Sequence, residues 1–317
     1  MLAPATTAYL FPGQGSQTVG MGHSLAEAYH VARQTFQEAD DVLGFGLTDL
    51  CFNGPEDALN DTANAQPALY AAGIAALRVL YEAWDTDFQP AFTAGHSLGE
   101  FTALTAAGAL TYPDGLLLVR RRGELMRDAG EHQPGGMAAL LGPTLEAVQA
   151  LCYRTQAETG GVLVIANDNC PGQVVVSGSQ DAVAYAVENA GSIGAKRAVR
   201  LNVSVATHSP LMQSAAHEFA QTVAATPLHP PRIPVVGNTT GQVLTDVDAI
   251  RAELNAQLTG PVRWTDSIRT MVDAGVTHFL EIGAGKVLTG LLRRIDRGAA
   301  GIVVDSPDGI TQLQAST

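Results

Sequence analysis

The 317 residues carry 46% hydrophobic and 15% charged side chains, enough apolar material for a sizeable core and the wrong balance for a disordered chain. A formal net charge of −13 speaks against non-specific nucleic-acid binding and against docking on an anionic membrane. Three cysteines, Cys51, Cys152 and Cys170, have no CxxC spacing, so neither a disulfide framework nor a zinc site is expected.

The chain opens MLAPATTAYLFPG, without a basic segment followed by a long apolar one. No run reaches the roughly 18 apolar residues of a membrane span, and a soluble, cytoplasmic protein is expected. TAYLFPG (7–13) reads as a buried strand ending in a Gly-rich turn, and QPALYAAGIAALRVLYEAW (66–84) as a long apolar helix. FTAG (92–95) is a short strand and LGEFTALTAAGAL (98–110) an Ala-rich helix. YPDGLLLVRRRGELMRDAG (112–130) is a further helix, closed by Gly130. Strands alternating with helices predict a parallel sheet covered on both faces.

From about Gly135 the pattern becomes strand (135–142), helix (144–155), strand (162–167), strand (173–178), helix (179–191), strand (196–203). That βαββαβ order predicts a ferredoxin-like unit with one hairpin through Asn169-Cys170-Pro171-Gly172. Alternation then resumes with IPVVGN (233–238), a helix near 246–258, WTDSIRTMVDAG (264–275), HFLEIG (278–283), a helix over 285–295 and GIVVDS (301–306). The fold class expected is α/β: a hydrolase-like large subdomain over 1–131 and 204–317, with the ferredoxin-like subdomain inserted at 132–203. The cleft between them is the expected ligand site.

Gly95-His96-Ser97-Leu98-Gly99 fits G-x-S-x-G between a predicted strand and a predicted helix. In a nucleophile elbow the serine occupies a strained turn, and flanking glycines remove the Cβ atoms that would clash. The next backbone N–H groups open a helix and favour a developing oxyanion, with Leu98 N–H the first donor. The alternative is a plain βα turn with a capping serine. A nucleophilic serine needs a base. His96 is too near in sequence to face the hydroxyl, His278 opens an apolar strand, and His208 stands where the chain re-enters the large subdomain beside the cleft.

Several stretches together resemble the malonyl-CoA:acyl-carrier-protein transacylase family: FPGQGSQTVGMG (11–22), GHSLGEFTAL (95–104), RRGELM (121–126), NDNCPGQVVVSG (167–178), VATHSPLM (205–212), PVRWTDSI (261–268) and EIGAGKVLTGLLRRI (281–295). They run in the family's order over most of the chain. The resemblance implies Ser97 as nucleophile and His208 as base and then acid. It implies that Gln14 helps the Leu98 amide form the oxyanion hole, and that Gln257 orients His208 through its main-chain carbonyl. On the residues alone, Gln14 is equally a turn residue and Gln257 a surface helix glutamine. The VATH segment before the histidine resembles fatty-acid enzymes more than modular polyketide acyltransferases.

Arg122 matches the family's clamp for the malonyl carboxylate. Its helix pattern adds an independent reason: Leu118, Arg122, Leu125 and Met126 share one face, while Arg120, Glu124 and Arg127 fall elsewhere. A guanidinium on an apolar face is costly unless an anion or polar group meets it, and its planar fork suits a carboxylate. An internal salt bridge is the structural alternative. No metal and no bound cofactor is expected; the expected partners are malonyl-CoA and acyl carrier protein, and the expected state is a monomer. Lys196, Arg197, Lys286 and Arg294 are candidates for a basic rim toward an acidic carrier. A trans-acting polyketide acyltransferase, an acyl-carrier-protein hydrolase with the same Ser-His pair, and a non-catalytic scaffold are the competing functions.

Overall fold

All five residues of Thr7–Phe11 are buried. A strand apolar on both faces needs cover on both, which is the situation of a parallel sheet between helix layers. The computed structural model, which describes residues 2–84, 88–203 and 205–315, has this arrangement. Its strands are β1 (Thr7–Phe11), β2 (Phe92–Gly95), β3 (Gly135–Leu141), β4 (Leu163–Cys170), β5 (Gln173–Ser179), β6 (Arg197–Arg200), β7 (Val235–Val236), β8 (Val243–Leu244), β9 (His278–Ile282) and β10 (Ala300–Val304).

One sheet has the order β10-β9-β1-β2-β7-β8. Its pairs are parallel, save the antiparallel β7–β8 hairpin at one edge. The helix Thr62–Trp84 packs against the helix Tyr112–His132, and their buried faces join β1 in the main core. The first of these begins four residues before its expected start. Asp61 accounts for this, its carboxylate accepting the Ala63 N–H at 2.9 Å, and Pro67 then lies inside the helix. The second does not close at Gly130. It continues to His132, and the Gln133 N–H still reaches the Ala129 carbonyl. Helices over His23–Ala28, His30–Leu43, Leu47–Asn53, Glu56–Asn60, Gln213–Ala225 and Pro307–Ala315 add to those expected.

The other sheet is antiparallel, in the order β4-β5-β3-β6. Renumbered within the unit this is 2-3-1-4, the ferredoxin-like arrangement. Its helices Leu145–Thr159 and Gln180–Asn189 close a separate core over β3, β4 and β5. Thr144 caps the first, its hydroxyl accepting the Ala147 N–H. The fold class is therefore α/β with an inserted ferredoxin-like unit.

The two units are joined by main-chain hydrogen bonds as well as by the chain itself. Val262 donates to the Ala166 carbonyl (2.8 Å) and accepts from Asp168 (2.9 Å), so the outer strand β4 is paired to a segment of the large unit. Irregular register in β4 around Ile165/Asn167 and Asp168/Cys170 lets one strand serve both neighbours. The C-terminal ends of β1 and β2 open beside this seam, and the elbow follows directly from β2.

Candidate active site

Ser97 is held in the left-handed region at φ 51°, a conformation non-glycine residues adopt at a cost of about 1–3 kcal/mol. Its neighbours explain how. A Cβ on Gly95 would run into the carbonyl of Gly99, and a Cβ on Gly99 would run into the carbonyl of Phe11. Both positions therefore exclude any side chain, and the elbow lies flush on the end of β1. Asn238 completes the frame. Its Oδ1 accepts the Ser97 N–H at 2.7 Å, and its Nδ2 donates to the Gly95 carbonyl at 2.8 Å.

Among the described residues, the only other non-glycine with positive φ is His208, at 62°. Its Nε2 lies 2.9 Å from Ser97 Oγ. Its Nδ1 faces two main-chain carbonyls, of Gln257 at 2.8 Å and of Gly260 at 3.0 Å. Two acceptors there require the proton on Nδ1, which leaves the Nε2 lone pair toward the hydroxyl. The imidazole is thus set as a proton acceptor without a carboxylate partner.

Arg122 is 1% exposed, on the same helix face as the buried Leu118, Leu125 and Met126. Its Nη2 donates to Ser97 Oγ at 3.1 Å and its Nη1 to Gln66 Oε1 at 2.8 Å. Its Nε has no hydrogen-bond partner among the described residues. The Nε/Nη2 edge of the guanidinium thus lies beside the hydroxyl with its Nε N–H unpaired. Burial brings the Arg122 pKa down to about 10, with Glu100 acting against the fall, so the group stays charged at neutral pH. Burial, then the Arg122 charge, brings His208 down to about 3 from its ordinary 6.5.

The remaining expected residues fall as follows. Leu98 opens the elbow helix Gly99–Ala106, and the main-chain N–H groups of Leu98 and Gln14 donate to no partner among the described residues. The Gln14 side chain is committed elsewhere, its Nε2 donating to Thr62 Oγ1 at 3.0 Å, so its available donor is the main-chain N–H. Gln257 is fully buried, and its Nε2 donates to the Ser97 carbonyl at 3.0 Å. His96 packs near Trp264 and bonds Asn169 at 2.8 Å. His278 pairs with Thr7 at the start of β9, at the opposite end of the sheet from the elbow. Gln66, Asn238 and Glu100 also belong to the site and were missed by motif reading. Glu100 stood inside GHSLGE as a helix-start residue, and Asn238 closed an apolar strand as an ordinary polar end.

A strained hydroxyl, a buried neutral imidazole in contact with it, one free amide at a helix start and another in the turn after β1 define a serine acyl-transfer enzyme of α/β fold. Comparison with known proteins agrees. The family model described as an acyl transferase domain matches residues 8–302. The malonyl CoA-acyl carrier protein transacylase of Bacillus subtilis is 44% identical over 303 residues, covering 96% of this chain and 94% of the relative. The crystal structure of an acyl carrier protein S-malonyltransferase from Vibrio cholerae superposes with a TM-score of 0.92 at 43% identity, covering 97% of this chain and 99% of that one. A malonyl-transacylase solved in complex with its type II polyketide acyl-carrier protein gives 0.94 at 40% identity, covering 98% and 99%. The chain belongs to the acyl transferase family, among its malonyl-CoA:acyl-carrier-protein transacylases.

The packing at Gly99 leads to a test. Gly99→Ala should lower stability by roughly 3 kcal/mol or more, since main chain must move to admit the methyl group, and should also lower activity. Urea unfolding and a rate measurement on the folded fraction check both. The imidazole gives a second. A base whose pKa lies near 3 remains unprotonated as pH falls through 6.5, so kcat/KM should show no acid limb in the ordinary histidine range. Replacing Arg122 by Ala removes one cause of the lowering and should move the limb upward. Stability follows the same shift: below pH 6.5 the unfolded chain protonates this histidine and the folded one does not, so this residue's contribution falls as pH drops toward 3.

Proposed function

We propose that the protein transfers malonyl from coenzyme A to the phosphopantetheine thiol of acyl carrier protein, through a malonyl ester on Ser97. His208 Nε2 takes the hydroxyl proton as Oγ attacks the thioester carbonyl. The Leu98 and Gln14 amides hold the tetrahedral oxyanion, which collapses as His208 returns the proton to the coenzyme A sulfur. In the second half the carrier thiol gives its proton to His208, attacks the ester, and Ser97 leaves with that proton. The observation that carries the proposal is the 2.9 Å contact between two left-handed residues otherwise distant in sequence.

Arg122 supplies the preference for malonyl. An acyl group on Oγ that ends in a carboxylate can accept the unpaired Nε N–H together with an N–H of Nη2, and an acetyl group leaves the Nε donor unpaired. Gln257 in this reading keeps the ring in its tautomer through its carbonyl. The serine, histidine and two amides complete the chemistry, so no bound cofactor is called for. The reading gives the carrier's acidic surface a rim drawn from Lys196, Arg197, Lys286 and Arg294, all exposed. It takes residues 132–203 as the smaller subdomain, the enzyme as a monomer and the cytoplasm as its place; no helix among the described residues is long and apolar enough to cross a membrane.

Intact-mass spectrometry after mixing with malonyl-CoA should find one malonyl unit on the parent enzyme and none on Ser97→Ala. An adduct surviving in that variant would exclude Ser97 as nucleophile. Arg122→Ala should lose roughly 10²-fold in malonyl transfer, the scale of losing hydrogen bonds to a charged group, while acetyl transfer holds or rises. A competition assay offering malonyl-CoA and acetyl-CoA together measures the ratio, and an unchanged ratio removes the clamp.

A further inference from the structure

Of the buried carboxylates that the acyl-transfer chemistry leaves unused, Glu100, Glu253 and Glu281, the first is bonded to the residues that hold the elbow. Glu100 lies three residues after Ser97 in the first turn of Gly99–Ala106 and is fully buried. Its Oε1 accepts the Asn238 N–H at 3.0 Å, and its Oε2 accepts from Gln257 Nε2. Each donor residue is itself attached to the Ser97 peptide, Asn238 at the N–H and Gln257 at the carbonyl. The Gln257 main chain also takes the Nδ1–H of His208. From this one side chain, hydrogen bonds lead both to the left-handed turn of the hydroxyl and to the ring that faces it.

Such a group is expensive to bury. Desolvation and nearby Glu253 push the Glu100 carboxyl well above the usual carboxylate range, while Gln257, Asn238 and Arg122 favour its anion. A helix start needs no such group, since an exposed Asp or Ser caps as well. Its two oxygens are engaged by the two residues that hold the elbow, which assigns it a purpose beyond capping.

We propose that Glu100 is a positioning residue for acyl transfer: it fixes Asn238 and Gln257, and through them the turn of Ser97 and the orientation of His208. The proposal rests on the serine–histidine reading above. Glu100 then does at one residue's remove what a triad acid does by touching the ring, leaving the ring's own acceptor a neutral carbonyl.

The test is Glu100→Gln in the full-length enzyme. The replacement keeps size and reach but turns one acceptor into an NH₂ group facing a donor, so one branch breaks. Single-turnover acylation of Ser97 by malonyl-CoA should slow by about 10²-fold, the scale of a misplaced reacting group, with KM unchanged. Nitrogen-15 spectra of His208 should lose the single Nδ1–H tautomer. Gln257→Met, which deletes the amide and keeps the carbonyl, should slow acylation similarly, and the double variant should be little worse than either. A parent-like rate in Glu100→Gln overturns the proposal, as does a slower rate with the tautomer intact and the two substitutions additive. Should Glu100→Gln fail to fold, Gln257→Met alone decides, a parent-like rate and tautomer there overturning the link. Ser97→Ala separates the layers: acylation persisting in it defeats the acyl-transfer reading, whereas normal acylation in Glu100→Gln defeats only the role of Glu100.

Discussion

The hydrogen bond between the Ser97 hydroxyl and the His208 ring joins residues 111 positions apart, and each sits in backbone strain. At about 1–3 kcal/mol per residue, neither conformation would persist in a loop free to relax. Each is over-determined instead. Ser97 is held at its N–H by Asn238, at its carbonyl by Gln257 and on both flanks by glycines packed against main chain. His208 is held at its own N–H by the Leu258 carbonyl and at its ring by two further carbonyls from the same turn. The fold around the site consists largely of what these constraints require: a sheet end to carry the elbow, and a helix terminus at Gln257 to receive the ring.

The electrostatics follow from the same burial. A guanidinium beside an imidazole would ordinarily be two cations in contact, and removing both from water would be costly. Here burial and the Arg122 charge drive the imidazole neutral, so only one charge remains. A neutral base and a fixed cation suit a substrate that brings its own carboxylate. Among the described residues no acid bonds the ring, and a carboxylate there would favour the imidazolium and work against the lowered pKa.

Much of the site was legible along the chain, for reasons specific to each residue. Gly95 and Gly99 bracket Ser97 because the turn is local, and a local constraint leaves a local signature. Arg122 announced itself by standing among Leu118, Leu125 and Met126 on one helical stripe. Gln257 carried no such mark: a polar residue near a helix end is most often solvated, and only the folded chain buries it beneath the elbow. Asn238 and Glu100 were unreadable for the same reason, their partners lying 141 and 157 positions away. The Gln14 side chain turns to Thr62, a partner 48 positions away that no sequence pattern specifies.

The sequence by itself determined most of the strands and the two long helices, the α/β class with its ferredoxin-like insertion, and the placing of Ser97 in an elbow. Periodicity, glycine placement and apolar runs act over a few residues, and a linear reading suffices for them. Tertiary structure alone decided the 2.9 Å approach of His208 to the hydroxyl, the second carbonyl, of Gly260, at its ring, and the place of Glu100 behind both. These are meetings between distant segments of the large unit at the end of β2, and burial gives them their chemistry only once water has been excluded.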